Sequence, residues 1–450
     1  MIYTLFVLFV ANLVLRLNDF WPTLQNAPIA EIVVPILVLL WLLFERKEFS
    51  LATDLFIPAY FIAMVAGYAL VVWPEQALII GRAYLPWAAL YFLAANLVRT
   101  SRRLDILFAV LLAMTLLLVV HAVQQVAAYD GINDDSGIGW SGEQMIFGRP
   151  RYVGILNDPN DLALFFVMML PLAMQFASSG RSTVSRLAGY LCSVPILLGI
   201  YLTNSRGGML AAGGIAAIFA YRRWGISRAA LVIGTLAMVA LAYGPSRVRE
   251  ESASDTASTE GRINAWAAGL QMFKQHPVLG VGMHQFTQYH EITAHNSFVI
   301  CFAENGLAGY VPWLGAGFFA LYGLHSTLRR LRQGTRAHRQ TLALFDSLVG
   351  FYIGGFFLSR DVFILLPVLI GLAAARVRAT RDELADADAD AEAVETPVEI
   401  VEESPVDEQH SAPEPLPDIS WRAGIRWLPK LTGMAVLSIL VIHFIVLLKR

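Results

Sequence analysis

This chain has little charge and almost no cysteine. Only 15% of its 450 residues are Asp, Glu, Lys or Arg, against about 25% in an ordinary soluble domain. Its two cysteines, Cys192 and Cys301, both lie in apolar runs, so neither a disulfide framework nor a cysteine-held metal is indicated. No basic stretch precedes the first apolar run, so no cleaved signal peptide is expected. No internal repeat is visible.

Hydrocarbon fills the space that charge leaves. Hydrophobic residues make up 56% of the chain, and mean hydropathy is +0.57. Apolar runs occur near 2–16, 29–44, 54–73, 77–98, 104–128, 159–177, 186–203, 206–221, 228–243, 297–323, 342–358, 361–376 and 431–448. Most of them approach the length that crosses roughly 30 Å of hydrocarbon as a helix. They are continuous rather than alternating, which excludes a barrel. The expectation is an all-α polytopic membrane protein with about 12–13 spans.

Basic residues orient it. Alternate connections carry Arg46 and Lys47; Arg99, Arg102 and Arg103; Arg181 and Arg186; Arg222, Arg223 and Arg228; then Arg329 to Arg339, and Arg376, Arg378 and Arg381. By the positive-inside bias these mark the cytoplasmic face, with the N-terminus inside. The opposite face carries two long connections, 129–158 and 244–296, and two short turns around Ser205 and Arg360. The chain then divides into helices over 1–128, a first external loop over 129–158, helices over 159–243, a large external loop over 244–296 and helices over 297–377. An acidic tail over 378–428 and a last helix over 429–450 complete it. Between 382 and 418 there are fourteen acidic and no basic residues, a composition that predicts disorder. The last helix would put Lys449 and Arg450 outside, against the bias.

Ten further basic residues fall on the external side: Arg16, Arg82, Arg149, Arg151, Arg206, Arg247, Arg249, Arg262, Lys274 and Arg360. Nine are arginine, whose planar fork grips phosphate in a way lysine cannot. Pairing with carboxylates or headgroups accounts best for Arg16, Arg149 and Lys274. Arg206, in a turn of a few residues, and Arg262, on an amphipathic helix with little charge to pair with, point instead to a phosphate-bearing ligand.

The stretch Glu260 to Gly309 concentrates the rest of the chemistry. A helical pattern through Arg262 and Trp266 stops at His276-Pro277; after it come Gly280-Val281-Gly282, His284, His290 and His295-Asn296-Ser297. His290 and His295 are one residue too far apart for the i, i+4 pair of a zinc-protease helix. His276, His284 and His290 read best as interfacial caps. His295 is set apart by Asn296, Ser297 and the Gly306/Gly309 pair at defined offsets after it. A histidine there could take a proton from a sugar hydroxyl near neutral pH. The external loops show no carboxylate pair or histidine spacing that demands Mg²⁺ or Zn²⁺, so no metal is expected.

His295-Asn296, nine residues, then Gly306-Leu307-Ala308-Gly309 resembles the signature of the O-antigen ligase/polymerase family of bacterial envelope glycosyltransferases. Three further stretches look like that family: Asn157-Asp158-Pro159-Asn160-Asp161-Leu162-Ala163, Thr203 to Gly208, and Arg262…Trp266…His276-Pro277…Gly280-Val281-Gly282. The resemblance covers about 150–320.

It implies a GT-C-type inner-membrane enzyme with about twelve spans and its active site facing the periplasm. Such an enzyme moves a glycan from undecaprenyl pyrophosphate to an acceptor without a cofactor. The acceptor would be lipid A–core, a second glycan or a protein, with lipid A–core favoured. Membrane lipid is the other expected partner, and nucleic acid is not expected. The resemblance makes Arg206 and Arg262 the pyrophosphate clamp and His295 the residue that handles the acceptor hydroxyl. Arg82, Arg151, Asn160, Arg247, Arg249, Asn296, Arg360 and Asp361 are the further substrate-binding candidates. A lipid-linked glycan transporter is the rival from another class. Against it stand the scarcity of intramembrane charge and the lack of a visible inverted repeat.

Overall fold

The computed structural model describes residues 1–21, 23–24, 27–131, 138–140, 142–146, 148–177, 183–243, 253–394 and 418–448. Arg181, Arg247, Arg249, Lys449, Arg450 and residues 395–417 of the acidic tail lie outside the described residues.

The described chain is all-helical, with fourteen α-helices. They are α1 (Ile2–Leu15), α2 (Ile29–Phe44), α3 (Thr53–Val71), α4 (Pro74–Leu97), α5 (Ser101–Ala128), α6 (Pro159–Ala177) and α7 (Thr183–Leu202). Then come α8 (Arg206–Tyr243), α9 (Ala253–Gln275), α10 (Phe286–Tyr289), α11 (Ser297–Leu328), α12 (Arg336–Gly355), α13 (Leu365–Val394) and α14 (Trp421–Leu448). Every apolar run read from the sequence falls on one of these. The runs 206–221 and 228–243 become two halves of α8, divided where Gly225 leaves helical geometry at φ 77° and ψ 175°. Among the described residues, six helices (α3, α4, α5, α6, α11 and α14) are long and apolar enough to cross a membrane by length and composition. The only β pairing among the described residues is two single bridges, Leu51 with Ser420 and Ile146 with Arg149.

The core is one large apolar cluster, with a small second one around Met64, Tyr68, Ala77 and Met283; α6 is deeply enclosed, with Leu162 to Met169 fully buried. α6 packs on α7 and α12, α11 on α3, and α13 on α4. Helix ends sort to two opposite ends of this bundle. At one end, Arg378 pairs with Asp54 at 2.7 Å, Arg336 with Asp105 at 2.6 Å and Arg99 with Glu48 at 3.0 Å. These are the arginines that the charge bias assigns to the cytoplasmic face.

Two details there differ from the sequence-based expectation. Arg376 and Arg378 lie within α13 rather than in a connection, only 2% and 6% exposed. Their charge is matched: Arg376 donates to Ser101, Thr380 and Glu383, and Arg378 to Asp54 and the Ala95 carbonyl. Paired in this way, both can be buried. α13 also runs on to Val394, into the stretch whose composition predicts disorder; alanine at every second position from Ala385 to Ala393 favours helix.

The last helix runs along the bundle. The Ile419 carbonyl accepts from Ala52 N at 2.9 Å, so α14 starts beside the start of α3. It packs along α11, where Tyr310 and Ser438 share a 2.8 Å hydrogen bond, and against α9.

Candidate active site

At the end of the bundle opposite the buried Arg378–Asp54 pair, α11 is broken. Gly306 sits at φ 56° and ψ −163°, a conformation essentially confined to glycine. A Cβ there would lie 2.3 Å from the Val278 carbonyl oxygen, and one on Gly280 would lie 2.3 Å from the Glu304 carbonyl carbon. The break frees backbone groups of a buried helix, which need new partners. The segment after α9 supplies them. Val281 N donates to Ala303 O, Gly282 N to Glu304 O, Leu307 N to Pro277 O and Ala308 N to Val278 O, each at 2.9 Å. The His276-Pro277…Gly280-Val281-Gly282 and Gly306-x-x-Gly309 motifs are therefore two halves of one lock.

Glu304, two residues before the break, extends it. Its carboxylate accepts from His284 N at 2.9 Å and Phe286 N at 3.0 Å, which fixes the segment leading into α10. His284 is left-handed at φ 60°, and its Nε2 meets the Tyr84 hydroxyl at 2.5 Å.

Above this lock lies a cavity of about 580 Å³. Its polar lining comes from five regions of the chain: Tyr84 on α4, Asp158, Asn160 and Asp161 at the start of α6, the segment from His284 to His295, Glu304 on α11, and Ser359 to Asp361 between α12 and α13. Arg360 bridges two of them through a bidentate pair with Asp161, at 2.6 and 2.5 Å. Asp361 is buried, accepting from the Tyr60 hydroxyl at 2.6 Å, while its carbonyl accepts from Trp313.

His295 stands at the rim in a strained backbone, with φ 46°. Both neighbours are anchored. The Ala294 carbonyl accepts from Trp266 Nε1 at 2.8 Å. Asn296 caps α11, its side-chain oxygen accepting from Phe298 N at 2.9 Å and Val299 N at 3.2 Å. Such outliers persist only where the surroundings hold them, and they gather at functional sites. Burial, then the charge of Arg262, holds the His295 pKa below the usual imidazole value, with Arg360 acting the same way and Asp158 opposing. Burial and Arg360 lower His284 likewise. Arg262 is itself held below the usual guanidinium value by burial and then by the charge of Arg206. Arg206 opens α8 and Arg262 lies in α9, yet the charge of Arg206 bears on Arg262 and that of Arg262 on His295.

The other candidates divide. Asn160, Arg360 and Asp361 line the cavity. The Asn160 side chain accepts from Arg149 and from Ser205, both at 2.8 Å, which ties the start of α6 to the turn before Arg206. Arg149 therefore clasps loops, donating also to Thr203 O, whereas Arg16 pairs with Asp19 as expected. Arg151 braces its own loop through Gln144 O and Asn157. Asn296 is fully buried beneath His295 as a cap. Arg82 points away from the cavity and pairs with Glu31 at 2.6 Å. The structure adds Tyr84, Asp161 and Glu304 to the site, and it makes His284 a lining residue rather than an interfacial cap. An acidic residue two positions before Gly306 in an apolar run is a legible signal for Glu304; nothing local marks Tyr84.

A polytopic helical membrane protein with a polar cavity at one end of the bundle is the class that fold and site define. Within it, residues 191–314 match the family described as O-antigen ligase. The matched residues hold Arg206, Arg262, His295 and the Gly306 break, and stop short of Arg360. No curated protein matches the chain.

Proposed function

We propose that this protein transfers a glycan from a polyprenyl-pyrophosphate carrier to an acceptor hydroxyl, at the periplasmic face of the bacterial inner membrane, with lipid A–core as the favoured acceptor. One observation carries the reading: His295, held in a strained backbone, lines the polar cavity, and the charge of Arg262 acts on it as that of Arg206 acts on Arg262. Arg206 disfavours the charge of Arg262, and a pyrophosphate bound by both would relieve that repulsion. Its charge grows as the glycosidic bond breaks, so the same arginines favour the transition state over the bound donor.

The chemistry is a single displacement. The acceptor hydroxyl gives its proton to His295, neutral because its pKa is lowered, and its oxygen attacks the anomeric carbon. The anomeric C–O bond breaks and its electron pair leaves with the pyrophosphate. Inversion of configuration results, and a retained configuration in the product would rule this route out.

The test uses purified full-length protein in nanodiscs with an undecaprenyl-pyrophosphate oligosaccharide. Transfer is followed to lipid A–core, to a second donor molecule and to protein, beside His295→Ala and Arg262→Ala. Transfer to lipid A–core that is lost in both variants supports the proposal. Transfer to another acceptor moves the protein to the polymerase or protein-glycosylating branch. An intact donor with every acceptor, in a protein that binds it, turns the reading to transport.

A further inference from the structure

On the opposite side of α4 from the polar cavity lies a second concavity, of about 610 Å³, between α2, α3 and α4. Its walls are apolar apart from one charged pair, Glu31 and Arg82. Three prolines line it, one from each helix: Pro35, Pro58 and Pro86. Proline removes a helical hydrogen bond, and each of these three lies inside its helix on the wall of the groove. Leu39, Leu42 and Leu85 at its edge are 56%, 47% and 51% exposed, which leaves the groove open sideways.

Its polarity runs along its length. From Glu31 to Leu42 on α2, and from Arg82 to Phe92 on α4, the walls extend about 15 Å at 1.5 Å per residue. The Arg82–Glu31 pair sits at one end, and that end is where Ala83 and Tyr84 turn the next face of α4 into the cavity. α4 is thus a partition with a polar cavity on one side and an apolar channel on the other. Arg82 is 75% and Glu31 39% exposed, so the pair is a weak one that a phosphate can displace.

We infer that this groove takes the isoprenoid chain of the lipid-linked donor, with Arg82 meeting the carrier's phosphate at the groove mouth as the headgroup passes over α4 into the cavity. An apolar groove with an exposed arginine at its mouth, held only by a weak ion pair to Glu31, fits an anionic lipid whose phosphate can replace that carboxylate. The inference rests on the function proposed above only for the identity of that lipid; the site itself is argued from its shape and charge.

The experiment uses the full-length protein in nanodiscs and a polyprenyl pyrophosphate that carries a photoactivatable diazirine in its chain and no glycan. Labelled peptides are mapped by mass spectrometry. Labels in the α2 and α4 segments around Val38 and Ala89 are expected, competed by unlabelled polyprenyl pyrophosphate and resistant to excess phosphatidylglycerol. Ala89→Trp, which fills the groove, should reduce labelling at least fivefold and raise the donor KM with little change in kcat. Arg82→Gln should weaken competition by polyprenyl pyrophosphate more than by the uncharged polyprenol. Labelling that maps elsewhere, or that phosphatidylglycerol competes equally well, overturns the inference; the latter outcome makes the groove an ordinary bilayer contact. Specific labelling in a protein that transfers no glycan keeps the lipid site and rejects the enzyme. Glycan transfer without labelling of the groove does the reverse.

Discussion

The indole nitrogen of Trp266 donates a 2.8 Å hydrogen bond to the carbonyl oxygen of Ala294. Trp266 lies one helical turn after Arg262, and Ala294 immediately precedes His295, so this contact registers the arginine-bearing helix against the strained histidine. Trp266→Phe keeps most of the ring packing and loses the bond. A buried hydrogen bond contributes about 1 kcal/mol net, which corresponds to a fall of roughly fivefold in transfer if the loss appears in the transition state. Measured kcat/KM unchanged by the variant would show that the contact supports folding alone.

Arg206→Lys and Arg262→Lys preserve charge and remove the planar fork. Each should lower transfer by about a hundredfold, since losing one preorganised donor to developing charge costs that order. Single-turnover rates measured at saturating donor are the check. Near-normal rates would mean that the arginines act only as point charges.

The depressed His295 pKa has a direction that can be read in a pH profile. An ordinary histidine titrates near about pH 6.5; burial and the Arg262 charge disfavour the imidazolium here, so His295 stays neutral to lower pH. Transfer should be flat through neutrality and fall only on the acid side of the ordinary histidine range. Arg262→Gln removes one opposing charge, so the acid limb of its residual activity should move up in pH. The unfolded chain binds this proton more readily, so His295 also costs stability as the pH falls through about 6.5, the unfolded value. An acid limb that does not move would separate His295 from the rate.

Gly306→Ala tests the lock. The backbone angles there cost a non-glycine residue about 1–3 kcal/mol, and the added Cβ would strike the Val278 carbonyl. A large fall in thermal stability in detergent is expected. Gly213→Ala in α8 is the control, since a Cβ there meets nothing within 4 Å; it should be neutral or raise stability by about 0.5–1 kcal/mol. Equal effects of the two substitutions would deny the lock its special geometry.

Much of this architecture is written along the chain. Continuous apolar runs form helices because a helix satisfies its own backbone in hydrocarbon, and the arginine asymmetry sorts their ends. The His276-Pro277 stop places the end of α9 within a residue, as proline cannot continue a helix. Arg376 and Arg378 read as part of a connection because their partners, Asp54 and Ser101, are far away in sequence. Arg82 illustrates the same limit: its depth in a span marks it for function, but only packing shows which face of α4 it occupies.

The sequence by itself determined the class, the two faces and the residues rich in chemistry, because composition and periodicity are local properties. The tertiary structure alone decided that the charge of Arg206 bears on Arg262 and that of Arg262 on His295, that Tyr84, Asp161 and Arg360 line one cavity, and that Gly280 and Gly306 interlock. Each of those relationships joins segments far apart in the chain, and a contact of that kind is fixed by how helices pack rather than by any pattern along one of them.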